Sequence, residues 1–235
     1  MIEPGPGLLS LRIWARREEK ILAIVERALE LLRTEQDLPH TECDLNRRFY
    51  FQLLRASREL NPSDPVAPIY ECNNQPDPDD EARATREDKR PDFQWIYLDE
   101  YEPDPERMSR QFTIECKRLG RPDRSNWIFN VNYVKNGMCR FHDPEWGYGR
   151  RFASGAMVGY WQSMELLDVI DEVNAEAFRN GLPEIAAVGD ALRNGYRSEH
   201  SFNRSFPSSP FRLRHVWIDL RSSKKAPLKK QSRKT

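Results

Sequence analysis

The sequence predicts an α/β domain built on a mixed sheet flanked by helices, with an extra N-terminal helix and a C-terminal β-hairpin. Three observations predict it. The runs Phe93–Leu98 and Phe112–Cys116 are short, aromatic or β-branched, and bounded by turn residues, as strands are. Glu18–Thr34 and Ser163–Asn180 repeat apolar residues at helical spacing. Along the chain the order reads helix, strand, strand, strand, helix, strand, helix, hairpin, a pattern of layered α/β folds.

Residues 1–17 open with Pro and Gly and are expected to form a loosely docked arm, ahead of a domain at 18–220. In the first helix Ile21, Leu22, Ile24, Val25, Ala28, Leu29, Leu31 and Leu32 make a broad apolar stripe suited to core packing. Thr41 is placed to cap a second helix whose first turn holds Glu42 and Asp44, and which runs to about Leu60. Val66–Cys72 predicts the first core strand, and Pro68 confines it to an edge or a bulge. Asn73–Arg90 is charge-dense and predicts a solvated, mobile loop; it lacks the ligand spacing and central glycine of an EF-hand. Trp127–Gly137 predicts a helix stopped by Gly137. Ser154–Gln162, rich in small residues, predicts a buried strand reached by a crossover, beside the second and third strands. Tyr196–Phe206 and Phe211–Leu220 predict an antiparallel hairpin. It carries His200 and His215, which could face each other; such a pair suits a transition metal, but no third ligand stands at a recognisable spacing. Residues 221–235 have no apolar pattern and predict a basic, disordered tail.

Composition narrows the function classes. A length of 235 residues suits one domain. Arginine outnumbers lysine 28 to 9, a bias compatible with two-point contacts to phosphate. The net charge of zero hides an asymmetry: residues 221–235 carry seven bases and no acid, while the other 220 carry 30 bases against 37 acids. That is not a uniformly basic chain that coats DNA, so any nucleic-acid contact needs a local patch, a bound metal, the tail or a partner subunit. Cys43, Cys72, Cys116 and Cys139 are spaced for neither a zinc knuckle nor a redox pair, and read as reduced, mostly buried thiols of a cytosolic protein. No apolar run approaches the roughly 18 residues of a membrane-spanning helix, and Leu8–Trp14 is too short for a signal peptide.

The chemistry concentrates in Pro91–Lys117. Side chains alternate along a strand, so Phe112, Ile114 and Cys116 point one way while Gln111, Thr113, Glu115 and Lys117 point the other. Glu115 and Lys117 then lie about 7 Å apart on one face. With Asp92 on the neighbouring strand, two carboxylates and an ammonium converge, a donor set suited to Mg²⁺. The chain holds five Pro-Asp dipeptides and three acid-x-Lys triplets, but only Asp92 and Glu115-x-Lys117 border two successive apolar strands.

Pro91-Asp92 followed by Glu115-Cys116-Lys117 resembles the signature of the PD-(D/E)XK (restriction-endonuclease-like) nuclease superfamily, and the resemblance covers roughly Asp44 to Gln162. It implies a restriction-endonuclease-like α-β-β-β-α-β core and Mg²⁺-dependent hydrolysis of phosphodiester bonds in DNA, with Mn²⁺ able to substitute. Asp92 and Glu115 would hold the metal, with the Cys116 backbone carbonyl as an extra ligand and Glu42 as an acidic helix residue of the kind the superfamily places before its first core strand. Lys117 would position the attacking water or stabilise the pentavalent state. Arg118, Arg121 and Arg124, together with Arg140, Arg150 and Arg151, would contact the nucleic-acid backbone. No Gln-x-x-x-Tyr element follows the Glu115 strand, which departs from the exonuclease branches. Small stand-alone members occur in bacterial anti-phage defence and restriction. The expected role is therefore the nuclease subunit of such a system, partnered by other subunits or a second copy, and not by membrane. The alternatives are a catalytically silent fold of this kind acting as a scaffold or a DNA- or protein-binding subunit, and an interaction module carried by the hairpin and tail.

Overall fold

The computed structural model describes residues 8–121, 128–187, 194–206 and 208–221; Arg124, Trp127 and the tail beyond Arg221 lie outside the described residues. Its strands are β1 (Ile69–Tyr70), β2 (Phe93–Leu98), β3 (Ser109–Leu119), β4 (Ser154–Trp161), β5 (Ala186–Ala187), β6 (Gly195–Phe202) and β7 (Phe211–Asp219). They form one mixed sheet in the order β1-β2-β3-β4-β7-β6-β5. The pairs β3/β4 and β4/β7 are parallel, and the other neighbours are antiparallel. The architecture is thus α/β with a mixed sheet and helices on its faces.

Strand alternation sorts the core into two layers. Phe112, Ile114 and Cys116 of β3 pack with Ala156, Val158 and Tyr160 of β4 against α1 (Leu8–Arg33) and α2 (Glu42–Leu60). On the opposite face Leu119, Met157, Trp161 and Trp217 pack against a helical stretch, Phe129–His142, and against α6 (Leu166–Arg179). Every residue of β4 is buried, as expected for a central strand covered on both faces. Between α2 and β2 lies a short helix, α3 (Arg83–Glu87).

Several boundaries differ from the sequence expectation, each for a physical reason. Helix α1 starts at Leu8, inside the stretch expected to be an arm. The apolar stripe in fact extends back to Trp14, but Glu18 interrupts it and looks like a solvent position. Glu18 is buried, accepting from Ser154 Oγ (3.0 Å), Arg214 Nε (2.8 Å) and Arg212 (3.1 Å). Trp14 stacks on Phe152 with ring centroids 4.0 Å apart and donates to Ser154 Oγ at 3.0 Å. Trp14→Ala is therefore expected to cost about 3–5 kcal/mol. Urea unfolding checks this, and a loss under about 1 kcal/mol would mean that the first turns of α1 are not part of the cooperative core.

Gly137 does not stop a helix. Residues Phe129–Tyr133 (α4) continue through a π-helical turn, Val134–Met138, into Cys139–His142 (α5). A Cβ at Gly137 would run into Met157 Cε and touch Lys117 Cγ at 3.4 Å, so glycine is there for close approach to the sheet. Strand β1 is shorter than expected and is the edge strand, as Pro68 required. The expected mobile loop before β2 is tied down: Asp77 and Asp80 are buried against Arg150, Arg151 and Arg86. Thr41 does cap α2, its hydroxyl accepting from the Asp44 N–H at 3.3 Å. None of the four cysteines is in a disulfide, and Cys116 alone among them is buried. Among the described residues no helix is long and apolar enough to cross a membrane.

Candidate active site

The site forms where strand pairing runs out. Strand β2 begins at Phe93, opposite Ile114, so β3 beyond that point has no β2 partner. The Asp92 side chain takes over: its Oδ2 accepts the Cys116 N–H at 2.7 Å. Its Oδ1 accepts from Asn46 Nδ2 at 3.0 Å, and Tyr160 donates to Asn46 Oδ1 at 2.8 Å, which fixes the orientation of that amide. Asp92 is therefore gripped from β3, α2 and β4 at once.

Lys117 stands at the centre. Its Nζ lies 2.9 Å from Glu42 Oε1, 3.0 Å from Glu115 Oε1, 2.8 Å from the Cys116 carbonyl and 3.9 Å from Asp92 Oδ2. Glu42 reaches it from the first turn of α2. Arg140, on α5, forms an ion pair with the same Glu115 oxygen and stacks over Trp146 at 4.1 Å. The Glu115 side chain is only 1% exposed, and its Oε2 has no hydrogen-bond partner. Three carboxylates thus face two cations in a buried setting.

That excess of negative charge shows in the titration. Burial first, then Glu115 and Glu42, push the Asp92 carboxyl up to about 8, against the pull of Lys117 and the Cys116 N–H. Burial disfavours the charge on Lys117, but Glu115, Asp92 and Glu42 outweigh it and raise its pKa above the ordinary value. Below about pH 4 Asp92 is protonated in folded and unfolded chains alike. As pH rises the unfolded chain ionises first, so this contribution to stability is lost until the folded carboxyl ionises near 8. In metal-free protein Asp92→Asn should flatten the decline in stability between pH 5 and 8. Urea unfolding at both pH values measures it, and an unchanged slope would place Asp92 near its ordinary value.

Among the described residues, no group of three or more His, Cys, Asp or Glu side chains is arranged to hold a metal ion. The carboxylates are instead gathered around the Lys117 ammonium, which also takes the Cys116 carbonyl. The donor set nevertheless fits a hard divalent cation: carboxylate oxygens, one of them buried and unpartnered at Glu115, with a negative excess that a cation would relieve.

The arginines expected to contact nucleic acid divide by position. Arg140 belongs to the centre itself. Arg118 donates to the His40 carbonyl at 3.0 Å and lies over the Phe129 ring. Arg121 is exposed just past the end of β3. Arg150 and Arg151 are engaged with Asp77, away from Lys117. The two histidines do meet, with ring centroids 5.0 Å apart. His215 Nδ1 is 2.7 Å from the Tyr133 hydroxyl and His200 Nδ1 is 2.8 Å from the Pro183 carbonyl. Burial lowers both of their pKa values.

Sequence reading missed three contributors. Asn46 stands four residues after Glu42, the helical spacing that puts both on one face. Tyr160 and Tyr148 carried no local signal beyond their type, although Tyr148 sits between Gly147 and Gly149, both at positive φ. Compared with known proteins, the chain matches no family model, no curated protein and no solved structure.

Proposed function

We propose that this protein is a metal-dependent nuclease that hydrolyses phosphodiester bonds in DNA. The observation that carries the reading is the convergence of Asp92, Glu115, Glu42 and Lys117 at the point where β3 outruns its β2 partner. The element order α2, β1, β2, β3, α4–α5, β4 supports a restriction-endonuclease-like core. So does the parallel pairing of β3 with β4.

Asp92, Glu115 and Glu42 would hold Mg²⁺, with Mn²⁺ as a substitute, and the Cys116 carbonyl is close enough to join them once Lys117 turns away. The ion would supply charge neutralisation at the phosphoryl group. Lys117 is kept cationic by its three carboxylate neighbours, so its Nζ–H groups stabilise charge developing on phosphorus. Asn46 and Tyr160 hold Asp92 in place, and Gly137 lets the helical layer press on the Lys117 stem. The proposed setting is a bacterial defence or restriction-type system, with DNA and other subunits as partners.

Plasmid and linear DNA incubated with the full chain, in Mg²⁺, Mn²⁺ or EDTA, test the reading. The expected result is cutting that requires the metal. Failure to cut, with no metal binding that depends on Asp92 and Glu115, would favour a catalytically silent scaffold.

A further inference from the structure

Three buried polar atoms at the candidate site have no aligned hydrogen-bond partner: Glu115 Oε2, Arg140 Nε and the Tyr148 hydroxyl. Two of them are donors, and a buried donor left unpaired is disfavoured. Arg140 is already oriented by its ion pair with Glu115 and by its stack on Trp146. Tyr148 is completely buried, with its ring edge-on to Phe141 and Trp146. Its carbonyl accepts from Arg204 at 2.7 Å, so the residue is held at both ends. The hydroxyl lies near enough to the Arg140 guanidinium and the Glu115 carboxylate for both charges to act on it. Burial and those carboxylates raise its pKa, so it stays a neutral donor at working pH.

Two converging donors beside a cation-binding carboxylate match an oxygen that carries negative charge. We propose that Arg140 Nε–H and Tyr148 O–H together grip one non-bridging oxygen of the phosphodiester presented to Glu115 and Lys117. The inference rests on the nuclease reading and adds the substrate contact that reading leaves unassigned. An anionic oxygen can approach Glu115 only with a cation between them, so the clamp and the divalent ion are expected to fill together.

The test uses the full chain with Ca²⁺ and thymidine 5′-monophosphate, followed by calorimetry. Tyr148→Phe keeps the ring and loses only the hydroxyl; Arg140→Lys keeps the charge and loses Nε–H. Each is expected to weaken nucleotide binding about 10-fold, the size of one lost hydrogen bond to a charged group. Ca²⁺ affinity measured alone should stay unchanged in Tyr148→Phe. On DNA bearing a single phosphorothioate, the wild-type preference between the two sulfur diastereomers should shrink in Tyr148→Phe, which a merely structural role would not do. Wild-type nucleotide affinity in Tyr148→Phe overturns the clamp. If that happens while the wild type still cuts DNA, the nuclease reading stands without it. Binding that depends on Tyr148 in a protein that cuts nothing would keep the clamp and remove the nuclease reading. No nucleotide binding by the wild type overturns the clamp as well.

Discussion

Lys117→Met should cost the metal-free protein about 3–5 kcal/mol at pH 8, the usual loss when one partner of a buried ion cluster is removed. Glu42, Glu115 and Asp92 would face each other with only Arg140 left to balance them. The loss should shrink at pH 5, because Asp92 already holds its proton below about 8 and takes less part in the repulsion. Urea unfolding at the two pH values separates this from simple loss of packing by the lysine stem, which would be equal at both. In the metal-containing assay the same variant should cut DNA at least about 10²-fold more slowly, the effect of removing one preorganised donor from a transition state. A variant that is destabilised yet cuts at the wild-type rate would make Lys117 a structural cation only.

Arg204→Met should be comparably damaging, about 3–5 kcal/mol, although Arg204 touches no site residue's charge. It is a buried arginine that donates to the carbonyls of Phe141 (2.9 Å), Tyr148 (2.7 Å) and Ser208 (3.1 Å), and to that of Gly149. Its guanidinium also lies 3.8 Å over the Phe211 ring. Methionine fills much of the same volume but leaves those acceptors buried without donors. Because Arg204 fixes the Phe141–Gly149 stretch, nucleotide binding should fall along with stability. Thermal unfolding and the calorimetry described above would show both; loss of stability with intact binding would mean that the stretch holds its shape without the arginine.

The parts of the fold that were legible in the sequence are those where one local rule decides the outcome. Phe112, Ile114 and Cys116 alternate with Thr113, Glu115 and Lys117, and a two-residue period has no second interpretation once one face must be buried. The juxtaposition of Glu115 and Lys117 followed from that parity. Asp92 could be placed beside them because β2 and β3 are consecutive and antiparallel. What stayed hidden depends on partners far away in the chain. Glu18 looked like a surface acid because its partners, Ser154, Arg212 and Arg214, lie more than 130 residues on. Gly137 looked like a helix stop because a glycine needed for close packing and one needed for a positive φ are the same letter. Arg140 looked like a DNA contact because a cation near a phosphate-cleaving centre can serve either the substrate or a carboxylate, and only the fold shows its pairing with Glu115. Arg150 and Arg151 looked alike for the same reason, and Asp77 claims both.

The π-helical turn at Val134–Met138 makes the site sensitive to chain length as well as to chemistry. In that turn the Cys139 N–H bonds to the Val134 carbonyl, five residues back, so one extra residue is accommodated before α5 begins. Deleting a single residue there would let the helix revert to regular α geometry, and everything after it would rotate by about 100°, one residue's share of a turn. Arg140 would swing off Glu115, and Phe141 would leave its packing against Tyr148 and Phe211. Lys135 and Asn136 are exposed and should accept most substitutions, yet the stretch that holds them should accept no change in length. The phase of this helix is a counted quantity, and no replacement of side chains downstream can restore it.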